Sequence, residues 1–493
     1  MHQALHIFKK DLRYLRYEAT LVVLFAAIFA VMHLRTTHSA FAGIVVPEIF
    51  WFVGVASLIG RLVLAEAIPG DRQFWITRPY RWPSLLGAKV LFLITFVNLP
   101  LLAAQFSILV IDGFPLAASI PGLLWSQLLL FAFLLPVVAF ATLSTAKPYQ
   151  LILFGLAAAV WELTAAGTAA GPLSGVAWIS QSVALIVICA TAIWILLLQY
   201  RSRRTLFSRC LALAGIVAAV FIFVATPWRV ALAMQSHEAK PGTLGSSVEI
   251  GLGHTFEERF FAPQLKPKVL LHLPITVQGI PVGTEVQPDA LSISLQGADG
   301  RMTQLGPADC WNFKRGSIPE SAAANIFAMC AVDPAFFQAQ HGRPVVLRAS
   351  FYFTLFGNPR SQSIPLSDQP SNAPDGLQCY TDSVRSEWDV YCRSAFRWPA
   401  RLVYAKLGHT NANSFTQFVS YSPFPASLNI EPVETRWASA YAAGPTPNVR
   451  DVTIIAEEPL VHLRRDFEVQ AVQLEQFAYP SLRIGPAPVH AIP

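Results

Sequence analysis

Residues Arg201 to Trp228 read RSRRTLFSRCLALAGIVAAVFIFVATPW, and this stretch decides the fold. A basic cluster, Arg201 to Arg209, leads into an apolar run over residues 207–227, about the ~20 residues a helix needs to cross a hydrocarbon core. Beyond Trp228 the long apolar runs stop, and Arg229 to Pro493 has the mixed composition of soluble sequence. One chain is therefore divided between two solvents.

Composition agrees with that division. The chain has 493 residues, 54% hydrophobic and 13% charged, well below the roughly one quarter charged of soluble domains. Met1 to Trp228 carries 15 basic against 7 acidic side chains, a net +8, while the remainder has 21 against 23, a net −2. The basic excess thus belongs to the membrane part alone, and with no base-reading module it does not point to nucleic acid.

Seven apolar runs are long enough to span, near 18–34, 41–67, 88–111, 120–144, 149–167, 176–199 and 207–227. The connectors alternate: Lys9 to Arg16, Arg72 to Lys89, Lys147 and Arg201 to Arg209 are basic, whereas 35–40, 112–119 and 168–175 hold one arginine between them. The positive-inside rule puts the amino terminus in the cytoplasm of a plasma or inner membrane protein, and seven crossings put residues 229–493 outside. Residues 1–17 read as an amphipathic interfacial helix, with Leu5, Phe8, Leu12 and Leu15 at helical spacing and Lys9, Lys10, Arg13 and Arg16 on other faces. Ala40-Phe41-Ala42 resembles a signal-peptide cleavage site, but Asp11 and Glu18 in the basic region argue against cleavage.

Cysteine placement bears on the orientation. Cys189 and Cys210 lie in or beside spans, while Cys310, Cys330, Cys379 and Cys392 all fall in the outer region, an even number suited to an oxidising compartment. Local pairing, Cys310 with Cys330 and Cys379 with Cys392, is favoured because short loops close readily.

Between the second and third runs lies GDRQFWITRPYRWPSLLGAK, Gly70 to Lys89. Its cations and aromatics fit either a partner-docking surface or an interfacial belt anchoring two helices. Together with the start HIFKKDLRYLRYE, this loop resembles that of permease subunits of the type-2 ABC exporter family, over roughly residues 1–200. The resemblance implies that Asp71, Arg72, Phe74, Trp75, Arg78 and Pro79 dock on a separate cytoplasmic ATPase as a coupling helix. It also implies a dimeric assembly, either a homodimer or a pairing with a second permease. The chain departs from the family pattern of six spans by its seventh run and its large outer domain.

Ionisable residues inside spans tend to face protein or water. Arg61 and Glu66 lie within reach of the inner interface, Glu48 near the outer one, and Glu162 deeper, in the fifth run. No phosphate loop of the form Gly-x-x-x-x-Gly-Lys-Ser/Thr is present, so ATP hydrolysis would reside in a partner. His-Glu-x-x-His, Cys-x-x-Cys and Gly-x-Ser-x-Gly are missing too, and no cofactor, metal or catalytic site is expected. His254 with Glu257 and Glu258 reads as a surface cluster.

The outer region, 229–493, is expected to be all-β and sandwich-like, with strands at Lys268–Thr276, Ala290–Leu295, Pro344–Leu355, Val452–Ala456 and Phe467–Leu474. A Pro- and Ser-rich stretch at 358–378 marks a boundary between two modules or a long loop. The expectation is thus a permease-like subunit of an ABC-type export or envelope-remodelling complex, embedded in the bilayer, with an outer domain for an unidentified ligand or protein. The alternative is a non-transporting membrane anchor that displays an outer binding or sensing domain.

Overall fold

The computed structural model describes residues 2–35, 42–64, 81–143, 177–202, 204–225, 228–238, 244–253, 269–307, 309–315, 324–384, 387–396, 402–407, 416–419, 430, 432–440 and 451–478. The helical region comprises α1 (His2–Tyr14), α2 (Arg16–Arg35), α3 (Ala42–Leu64), α4 (Trp82–Ile111), α5 (Leu116–Leu143), α6 (Ala177–Ser202) and α7 (Thr205–Ala225). Among the described residues, five helices are long and apolar enough to cross a membrane: Arg16–Leu34, Trp82–Ile111, Leu116–Leu143, Trp178–Ser202 and Thr205–Ile222. Phe50–Val63 of α3 is a shorter apolar stretch. The expected run at 149–167 lies outside the described residues.

These helices carry apolar side chains outward as well as inward. On α7, Leu206, Leu213, Val217 and Phe221 are exposed, as are Ile186 and Trp194 on α6. A water-soluble bundle would cover such a surface; lipid leaves it free. Where α6 and α7 meet, Gly215 admits Thr191 so closely that a Cβ there would come within 2.5 Å of it. Small residues give transmembrane helices this close approach.

Helix α4 changes register at Ile94–Asn98, a π-helical turn. Pro100 follows, and a proline lacks the N–H that would bond the carbonyl four residues earlier. The wider turn accommodates that lost bond without ending the helix.

Two compact units divide the chain. One contains α1 to α7 together with Arg360–Ala456, and the other contains Trp228–Pro359 with the chain from Glu457 onward. In the first, the hairpin Gln378–Val384 and Glu387–Ala395 pairs antiparallel, with Val433–Ala440 on the outer side of its second strand. A small core of Leu377, Cys379, Val390, Val452 and Ile454 lies among these strands. In the second, Val269–Gln278 pairs antiparallel with Ala324–Val332, and Thr284–Gly297 with both Met302–Leu305 and the first part of Val345–Pro365. Alternation sets the faces: Leu291, Ile293 and Leu295 enter a core with Leu347, Phe351 and Phe353, while the residues between them face away.

The chain runs between the units inside two long strands, Val345–Pro365 and Asp451–Val472. The second joins what the sequence suggests are two strands. Glu457, Glu458 and Pro459 look like a break, yet Glu457 is buried within a continuous strand. Disulfides link Cys310 to Cys330 and Cys379 to Cys392, each pair directly opposite on neighbouring strands. A disulfide-bonded β region is consistent with an extracytoplasmic location.

Candidate functional site

Three elements meet at one ammonium group near the start of α4. Lys89 Nζ donates to Asp11 Oδ2 of α1 at 2.9 Å and to the Leu62 carbonyl of α3 at 3.0 Å. Its side chain is 2% exposed and that of Asp11 6%, so neither charge has water to fall back on. Removing one partner of such a pair costs about 3–5 kcal/mol, because the other charge stays buried.

Neighbouring contacts reinforce the junction. Arg61 of α3 pairs with Glu18 of α2, and its guanidinium lies 5.7 Å from the Tyr14 ring. The Arg81 backbone N–H donates to Gln3 Oε1 at 3.4 Å. Phe8 of α1 packs against Phe92 and Phe96 of α4. The first helix thus buries Ile7 and Asp11 against protein, and Leu15 just beyond its end is buried too, while Leu5, expected on its apolar face, is exposed. Leu62 and Arg61 precede residues 65–80, and Arg81 and Lys89 follow them, so the described chain on both sides of that segment is tied to the amino-terminal helices.

A second buried pair closes the other end of α4. Arg393, on the second strand of the hairpin, donates through Nη2 to Asp112 Oδ2, with side chains only 6% and 8% exposed. Gln378, opposite Arg393 on the first strand, donates to the Asp112 carbonyl at 2.7 Å. The Arg393 guanidinium also lies 5.8 Å from the Phe114 ring. Asp112 can hold this position because Gly113, at φ +76°, turns the chain out of the helix. The Cys379–Cys392 bridge is the next cross-strand pair and fixes the spacing of Gln378 and Arg393.

Between the two ends runs a polar ladder. Asn98 donates to Gln127, Gln127 to Gln105, and Gln105 Nε2 to Ser126 Oγ and the Ile430 carbonyl, both at 2.9 Å. In an apolar layer such amides hold helices together, since each would otherwise be unsatisfied. At Gly122 of α5 a Cβ would lie 2.5 Å from Phe396, so the hairpin's end seats where only glycine fits. At about 1.5 Å per residue, the stretch from Lys89 to Asp112 is roughly 35 Å long, close to the ~30 Å of a hydrocarbon core.

Of the residues singled out from sequence, Arg61 lies in α3 and pairs with Glu18, and Cys310, Cys330, Cys379 and Cys392 form the two disulfides. Asp71, Arg72, Phe74, Trp75, Arg78, Pro79, Glu66 and Glu162 lie outside the described residues, as do His254, Glu257 and Glu258. Asp11, Lys89, Asp112, Gln378 and Arg393 carry the buried contacts, and sequence reasoning did not select them. For Asp112 a signal existed: it is the one charge in an otherwise uncharged connector, 112–119. Among the described residues no group of three or more His, Cys, Asp or Glu is arranged to hold a metal ion. No family model matches this chain, and no curated protein matches it either.

Proposed function

We propose that the chain is a permease-like membrane subunit of an ABC-type export or envelope-remodelling complex, driven by a separate cytoplasmic ATPase that docks on the segment 70–89, of which Trp82–Lys89 is the first part of α4. In this reading seven spans place the amino terminus inside and the β domain outside, and the subunit works as a homodimer or beside a second permease. The observation that carries it is the continuity of α4 between two buried ion pairs, Lys89–Asp11 and Asp112–Arg393. A push on this segment would reach the flanking chain clamped by Lys89 and Arg61, travel along one helix, and arrive at the hairpin gripping Asp112. Buried pairs suit this task because they have discrete arrangements and resist gradual deformation.

The test is recovery of the tagged protein from its native cells with bound partners, followed by an ATPase assay. Wild type is expected to bring down an ATPase that Phe74→Ala/Trp75→Ala/Arg78→Ala releases. Recovery of intact protein with an outer-face partner and no ATPase would instead favour the non-transporting anchor.

A further inference from the structure

The second unit contains a groove of about 630 Å³ on the sheet face turned away from its core. This is within the few hundred to a thousand Å³ of small-molecule sites. Its floor follows from strand register. Ser292 lies opposite Ser350 and Ser294 opposite Arg348, while Ile293 and Ala349 between them point into the core. Trp228, at the start of the helix Trp228–Gln235, adds aromatic surface, Tyr352 lines the groove while only 4% exposed, and Arg464 and Asp466 come from the strand Asp451–Val472.

Charge in the groove is arranged in pairs. Arg464 donates through Nε and Nη2 to the two oxygens of Asp466 at 2.9 and 2.7 Å, and its guanidinium lies 5.9 Å from the Tyr352 ring. Arg348 Nε donates to Glu468 at 3.0 Å, while Arg229 bonds the neutral Gln304. Three arginines against two carboxylates leave a net of only one positive charge. An incoming anion would meet Asp466 and Glu468 as well as the guanidinium groups. An apolar ligand would have to strip water from three serines and five charged side chains.

What suits the groove is a ligand whose polar groups both donate and accept. We infer that it binds a neutral polyhydroxylated molecule, a short glycan, with vicinal hydroxyls bridging the aligned Asp466 and Arg464 and the sugar's C–H face against aromatic surface. A carboxylate held from behind by an arginine is fixed in orientation and keeps acceptor capacity for a pair of hydroxyls. The three serines supply both hydrogen-bond roles along the floor. Burial raises the Tyr352 phenol above its ordinary range, so it stays a neutral hydroxyl at physiological pH. The inference does not rest on ATPase docking, and its test involves no nucleotide.

The full chain, in phosphatidylcholine nanodiscs free of sugar-headed detergent, is titrated calorimetrically with cellotriose, chitotriose, maltotriose and mannotriose. Inorganic phosphate and phosphatidylglycerol vesicles serve as anionic comparisons. Saturable binding of at least one trisaccharide is expected, weakened about tenfold or more by Asp466→Asn and by Ser350→Trp, which fills the floor. Thermal melting of each variant reports its folding, and Glu468→Gln provides a milder change if either variant misfolds. The inference is overturned if no trisaccharide saturates, if all folded variants bind as wild type does, or if only the anions bind, with affinity falling as salt rises.

Discussion

The two ends of α4 solve one problem with different materials. At the Lys89 end, three helical elements converge on an ammonium group, and everything that holds it is non-covalent. At the Asp112 end, the carboxylate is held by side chains from a hairpin more than 250 residues away in sequence, and a disulfide braces that hairpin. The contrast teaches that a junction made by neighbouring helices can rely on packing, whereas one made by a distant β hairpin needs its partners fixed in advance. Preorganisation lowers the entropy lost when Arg393 and Gln378 settle on Asp112.

The sharpest way to break the comparison is Lys89→Ala, which leaves Asp11 buried without its cation. We expect a loss of about 3–5 kcal/mol, read as a lower melting temperature in nanodiscs. Lys89→Leu/Asp11→Leu should recover most of it, because a pair of apolar side chains strands no charge. A Lys89→Ala protein that melts like wild type would contradict the junction.

Next in size, Cys379→Ser/Cys392→Ser should cost about 2–4 kcal/mol, as expected for opening a short disulfide loop. Hydrogen exchange should then rise in the hairpin and at Asp112 while α1 stays protected. Equal loosening at both ends would show that the bridge supports the whole unit and not one junction. Smaller again is Arg61→Gln. Its side chain is 53% exposed, so its pairing with Glu18 should contribute no more than about 1 kcal/mol and shrink in high salt.

The least effect is expected outside α4, at His272 in the other unit. Burial lowers its pKa below the ordinary 6.5. The unfolded chain therefore takes up a proton at a higher pH than the folded one. Stability from this group is present above about pH 6.5 and is lost as pH falls from there through the lowered folded value. Melting temperature measured between pH 7.5 and 5.5 should fall, and His272→Gln should flatten that slope.

The sequence carries the parts of this molecule that depend on neighbours in the chain. Lipid demands some twenty apolar residues in a row, so α2, α4, α5, α6 and α7 are legible as runs. Alternation over Ala290–Leu295 discloses which side chains enter the core, and close spacing favours the two disulfides that the structure contains. The hairpin Gln378–Ala395 escapes notice because QCYTDSV and EWDVYCRSA mix polar and apolar residues without a clean period. The junctions are harder still. Lys89 looks like one more loop cation, and nothing local marks Asp11, 78 residues earlier, as its partner. Ion pairs across such separations are written in the fold.

The Cys379–Cys392 bridge also bears on how the molecule matures. Thiols persist where the surroundings are reducing and join where they are oxidising. Until that happens, the hairpin lacks its brace, and the grip on Asp112 must form from strands free to part. The bridge therefore ties the two ends of α4 to different conditions: the junction at Lys89 needs no oxidant, whereas the brace behind Asp112 exists only where thiols can join.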